Sequence, residues 1–215
     1  MKKLISFRSL FFIIMIICNV QCKKQYQPFV AKAIETTKSS STTSTIVYTD
    51  VKPDSLISPG HSYNVDINND GIYDFELTTT GILSRCGTEC RAHDSSARVY
   101  PATGTKNEIA SDGSNLALAL DSLAKINSSG KWSAASEILY WRRIAVYPCP
   151  GGCSVSSGNW TTTQDKYLGF KIIKGNNVFY GWVRISANTN KETLVIKGYA
   201  YNSTPNQPIL AGQTK

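Results

Sequence analysis

Histidine is nearly absent. The 215-residue chain holds only His61 and His93, and neither stands in a His-Glu-x-x-His zinc motif. Gly-x-Ser-x-Gly, the phosphate-cradling P-loop and the dinucleotide fingerprint are missing as well. No local signature of those enzyme classes is present. Only one long apolar run occurs, at the extreme N-terminus, which excludes a multi-pass helical membrane protein. No segment repeats at a fixed period, against a propeller or solenoid. Apolar residues are not scarce, at 41% hydrophobic with 10% aromatic. That is material for one sizeable core and far above a non-folding composition.

The formal net charge is +8, but its location matters more than its size. Lys2, Lys3, Arg8, Lys23, Lys24, Lys32 and Lys38 all precede Ile46. From Ile46 onward 16 Lys+Arg face 14 Asp+Glu. The excess belongs to the N-terminal arm. A phosphate-binding surface needs clustered cations on the domain itself, and only the doublet Arg142–Arg143 occurs, so no nucleic-acid partner is expected.

Met1–Lys3 with Arg8 form a basic region, and Leu10–Ile17 an apolar one too short to span a bilayer comfortably. Cys18-Asn-Val-Gln-Cys22-Lys-Lys follows. This order resembles a bacterial lipoprotein signal, which implies lipidation of Cys22 and removal of residues 1–21. Asn19-Val20-Gln21 departs from the usual small-residue lipobox. Lipidation at Cys18, a plain secretory signal or an uncleaved anchor helix are the alternatives. Residues 22–45, rich in Ser, Thr and Lys, cannot bury enough apolar surface to offset their ordering entropy and read as a tether. The expected partner of this arm is a membrane, through an N-terminal lipid anchor. The expected location is the cell envelope, as an outer-membrane lipoprotein facing the periplasm or the surface.

Residues 46–215 read as a single all-β domain, a β-sandwich or jelly-roll. Leu168, Phe170 and Ile172 alternate onto one face. Phe179, Val183 and Ile185 oppose Tyr180, Trp182 and Arg184, and Thr193–Tyr201 forms a third run. Lys174–Asn177 and Asn188–Lys191 are the turns of this meander. Earlier strand candidates are Ile46–Val51, His61–Ile67, Ile72–Thr79, Arg98–Tyr100 and Leu116–Leu120. Ala134–Leu139 fits a short helix, whereas Ile144–Tyr147 looks extended.

Four cysteines remain, as Cys86-Gly-Thr-Glu-Cys90 and Cys149-Pro-Gly-Gly-Cys153. Export favours disulfides, with local pairing preferred among three connectivities. Four thiolates on a structural zinc are the alternative. The most specific internal motif is Asp66-Ile-Asn68-Asn-Asp70-Gly71-Ile72-Tyr-Asp74-Phe. Calcium takes six to eight hard oxygens, and alternate side chains of a tight loop can converge on one ion. Asp66, Asn68, Asp70, the Ile72 carbonyl and Asp74 are the expected ligands. The loop resembles DxDxDG sites but has Leu77 where an EF-hand has its bidentate Glu. Asn69-Asp70-Gly71 also fits a bare hairpin turn, in which Asp66 and Asp74 are merely solvated.

No catalytic constellation can be assembled from the sequence, and an enzyme is not expected. His93-Asp94-Ser95 has the residue types of acyl transfer, but strand neighbours point to opposite faces. An exposed loop histidine beside Cys86–Cys90 is the simpler expectation. Most aromatics should be core, and Trp160, in a Gly-Asn-Trp-Thr-Thr setting, is the best candidate for an exposed one.

Three further segments carry a resemblance: Tyr167-Leu-Gly-Phe-Lys, Phe179-Tyr-Gly-Trp-Val-Arg-Ile, and Gly198-Tyr-Ala-Tyr-Asn-Ser-Thr-Pro-Asn-Gln-Pro-Ile-Leu-Ala-Gly. Together they resemble the C-terminal region of exported bacterial β-rich proteins that include many PEP-CTERM-type surface proteins. Asp66–Phe75 matches a segment that group often carries upstream. The resemblance implies export and a β-rich fold, and brings no catalytic residues. The expectation is a membrane-anchored extracytoplasmic binding or scaffolding lipoprotein, stabilised by calcium, with a glycan or protein ligand. A structural envelope protein and, behind it, a glycan-active hydrolase are the alternatives.

Overall fold

The computed structural model describes residues 46–85, 90–145 and 154–215. The signal segment 1–21, the tether 22–45 with Cys22, and Cys86, Cys149 and Cys153 lie outside the described residues. Every described residue belongs to one compact unit, Thr42–Lys215.

Among the described residues the fold is all-β, with no helix. One sheet has the order β1-β12-β11-β10-β5-β7. Its strands are β1 (Ile46–Ile57), β12 (Thr193–Asn202), β11 (Asn177–Asn188), β10 (Lys166–Lys174), β5 (Glu108–Ala110) and β7 (Trp132–Ser133). The other has the order β2-β3-β4-β8-β9. It is built from β2 (Ser62–Val65), β3 (Phe75–Arg85), β4 (Arg91–Pro101), β8 (Glu137–Ala145) and β9 (Val155–Ser157). A short ribbon joins β6 (Lys125–Ile126) to β13 (Ile209–Leu210). All strand pairs are antiparallel.

The expected alternation places the core. Leu168, Phe170 and Ile172 of β10 and Val183 and Ile185 of β11 meet Phe75, Leu77 and Val99 of the facing sheet. Phe75 stacks on Phe170 with ring centroids 4.0 Å apart. The opposite face of β11 is buried too. Tyr180 and Trp182 pack with Ala200 beneath Ile126, Ile209 and Ala211, and the Tyr167 ring meets Trp182 edge-on at 5.2 Å. The C-terminal segment folds back over the sheet, bonded from Ala211 N–H to Ala124 C=O at 2.9 Å. That cover explains why both faces of one strand are apolar.

Several expectations need correction. Leu116–Leu120 makes only isolated bridges, because Ala117 enters the main core while Leu120 joins the outer one. Ala134–Leu139 is not a helix: the chain turns and becomes β8 at Glu137, paired with Val99. β3 begins at Phe75 rather than Ile72, since residues before it form a loop. β4 extends well beyond Arg98–Tyr100, to Arg91. Its inward positions Ala97, Ser95 and His93 are small or polar, so no hydrophobic period announces it. Trp160 is fully buried in the main core, and its indole N–H donates to the Ala117 carbonyl at 3.2 Å.

Candidate functional site

The loop between β2 and β3 spans residues 66–74. It is too long for a two-residue hairpin turn, and its positive φ values fall at Asn69 and Gly71, on either side of Asp70. The loop is thus wider than the two-residue turn, with Asp70-Gly71 still at its bend. The three aspartates of the motif have separate tasks. The Asp66 carboxylate accepts the N–H groups of Asp70 at 3.2 Å and Gly71 at 2.7 Å. Asp70 Oδ1 accepts Ile72 N–H at 3.0 Å, an Asx turn. Asp74, only 5% exposed, turns inward. It accepts from Ile67 N–H at 3.0 Å, from Asn68 Nδ2 at 3.0 Å and from Asn107 Nδ2 at 3.4 Å.

A cation does sit at this loop, and it comes from the protein. Lys174, at the end of β10, donates to Asn68 Oδ1 at 3.3 Å and pairs with Asp70 Oδ2. Asn68 and Asp70 are its hydrogen-bond partners among the described residues. Among the described residues no group of three His, Cys, Asp or Glu side chains converges as metal ligands.

The electrostatics follow the same division. The Lys174 ammonium, helped by Ile72 N–H, holds the Asp70 carboxyl below its ordinary range, and Asp70 in turn raises Lys174. Burial pushes Asp74 upward against the pull of Ile67 N–H, and the charges of Asp70 and Asp66 add to the rise.

Lys174 also lines two hollows at this end of the sandwich. The larger, about 440 Å³, runs between the loop, the turn at 102–107 and the hairpin after β10, and presents Tyr73, Lys106 and Asn107. The smaller, about 140 Å³, lies against Phe179, Tyr201 and Ser203. Tyr73 is 39% exposed, and Ile72 beside it is more open still. The larger hollow falls within the size range of small-ligand sites. Sequence reasoning found the acidic half of this site. It missed Lys174, Asn107 and Lys106, because nothing local ties them to a loop far away along the chain.

The opposite end of the sandwich holds the remaining candidates. His93 is not in a loop but in β4, half-buried, with Nε2 2.6 Å from Glu192 Oε1 across the two sheets. Ser95, two residues on, shares its inward face, so the chain brings Ser, His and Glu to one region. Ser95 Oγ is buried and has no hydrogen-bond partner among the described residues, so no bond links it to His93. Asp94 points outward and accepts two bonds from Arg143, at 2.6 and 2.8 Å. Cys90 is disulfide-bonded, with its partner outside the described residues. Comparison of the chain with protein-family models, with curated proteins and with solved structures finds no match.

Proposed function

We propose that this protein is a membrane-tethered extracytoplasmic binding or scaffolding lipoprotein, anchored through Cys22, whose ligand site is the hollow beside Asp70 and Lys174. The observation that carries the reading is the hollow itself. A part-exposed tyrosine lines it together with Lys106, Lys174, a carboxylate and an amide at the end of the sheet. Such a mixture suits a glycan, whose rings stack on aromatics while its hydroxyls exchange bonds with polar groups. The PEP-CTERM-like resemblance and the lipoprotein-like N-terminus support an envelope location. Calcium enters this reading as a competitor: its binding requires Lys174 to leave Asn68 and Asp70.

Two changes in the full chain test the proposal. Cys22→Ala should move the protein from the membrane fraction to the soluble exported fraction. On an envelope-glycan array, Tyr73→Ala should weaken binding about tenfold, the loss of a stacking contact worth about 1.4 kcal/mol. Binding to no glycan, or binding that ignores Tyr73→Ala, overturns the site and favours a structural envelope role. Calcium that fails to raise the melting temperature even of Lys174→Met removes the metal from the account.

A further inference from the structure

Open sheets expose edges, and the two sheets treat theirs differently. β1 closes one side of its sheet, and its rim is broken where Lys52, Pro53 and Asp54 interrupt the register between Asp50 and Ser55. Charge, proline and a bulge are the usual means of keeping an edge from pairing. From Gly81 to Ser84 the rim of β3 carries no proline, bulge or charged side chain of its own, and the Glu192 carboxylate lies against Gly81 on the inner face. β2 pairs with it only from Phe75 to Thr78, and the last bonds on that side are Thr79 N–H to His61 C=O at 3.2 Å and Gly60 N–H to Thr79 C=O at 2.8 Å. Antiparallel alternation turns the backbone groups of Gly81, Leu83 and Arg85 to this same side, while Thr80, Ile82 and Ser84 face β4. No strand among the described residues pairs there.

The side chains along this rim are equally open. Ile82 is 61% and Leu83 70% exposed, on opposite faces of the strand. At the strand end Arg85 stands directly opposite Arg91 in register, both exposed. Neither makes an ion pair among the described residues. Like charges facing each other across a ladder cost stability, and an anion placed between them would offset that cost.

We propose that the uncovered rim of β3, Gly81 to Arg85, is a strand-addition site for an extended acidic segment of a partner polypeptide. Backbone bonds supply the attachment, Ile82 and Leu83 the apolar contacts, and Arg85 with Arg91 the charge selection. Charge also decides against the nearer occupants. Residues 22–45 of the same chain carry Lys23, Lys24, Lys32 and Lys38 against the single acid Glu35. The same rim of a second copy carries Arg85 and no acid. The inference names a partner for the binding or scaffolding role but uses a surface apart from the Tyr73 hollow.

The test uses the full chain in detergent with two short capped peptides, one alternating glutamate with valine and one alternating lysine with valine. The acidic peptide should bind and slow amide exchange at Gly81, Leu83 and Arg85, and the basic one should do neither. Leu83→Pro removes one rim donor without touching the ladder to β4, and should weaken binding about tenfold while leaving any glycan binding through Tyr73 unchanged. Arg85→Glu combined with Arg91→Glu alters side chains alone and should reverse the preference toward the basic peptide. Equal binding of both peptides, binding of neither, or protection elsewhere overturns the proposal. So does self-association that Leu83→Pro abolishes, which would make a second copy the occupant.

Discussion

The two ends of this sandwich resolve their polar groups in opposite ways. At the Asp66–Asp74 end every motif carboxylate has partners within the protein, and Lys174 supplies the counter-charge. At the other end Arg85 and Arg91 face each other with no ion pair among the described residues, and Ile82 and Leu83 are exposed. Behind them the hydroxyls of Thr79, Ser95 and Tyr140 are buried without partners among the described residues. A saturated loop gains rigidity from its own bonds. An unsaturated end retains groups whose best partners lie outside the chain.

The largest expected effect breaks the saturated end. Asp74→Ala strands the donors on Ile67, Asn68 and Asn107 in a buried site and should cost about 3 kcal/mol in urea unfolding. Arg85→Ala at the opposite end should stay within about 0.5 kcal/mol of wild type. A cost at Arg85 equal to that at Asp74 would erase the distinction between the ends.

Tyr140→Phe sharpens it. Burial raises the Tyr140 hydroxyl's pKa, and no partner compensates that burial. Deleting the hydroxyl should be neutral or stabilising by up to about 1 kcal/mol. A loss of more than about 1 kcal/mol would reveal a partner, such as an ordered water, that satisfies it.

The smallest effect is in acid. Arg143 holds Asp94 below its ordinary value of 3.8, and Lys174 does the same for Asp70. A depressed folded pKa gives stability that is present above 3.8 and is lost as pH falls through the folded value. Asp94→Asn should therefore flatten the acid limb of the stability curve below about pH 3.8. Asp70→Asn should flatten it less, since the Asp70–Lys174 pair is 36% and 49% exposed and screened by solvent. Asp74 has the opposite sign. Its folded pKa is raised, so the cost of ionising it grows as pH rises from 3.8 through the folded value. Acid titration of the three Asn variants checks all three signs.

Strand character was largely legible because it is local. The alternation in Tyr167–Ile173 and Val178–Ile185 announces β10 and β11, and the inward set Phe170, Ile172, Val183 and Ile185 is the one observed. β4 was legible only at its Arg98–Tyr100 end, where Val99 is apolar. Toward Arg91 the inward positions are Ser95 and His93, and the period carries no hydrophobic signal. The candidate site was half legible. Asp66, Asn68, Asp70 and Asp74 form a visible spacing, but the direction of each carboxylate depends on donors supplied by other strands.

The sequence by itself determined that Tyr167–Tyr201 alternates as a meander of strands and that basic charge gathers ahead of Ile46. Tertiary structure alone decided that Lys174 meets Asp70 across 104 residues of chain and that Trp160 is core rather than surface. It also decided that Glu192 reaches His93, and that β2 stops short of the β3 rim beyond Thr79. The physical reason is range. Side-chain alternation and turn chemistry are properties of neighbouring residues, whereas burial, counter-ions and edge coverage depend on which distant segments pack together.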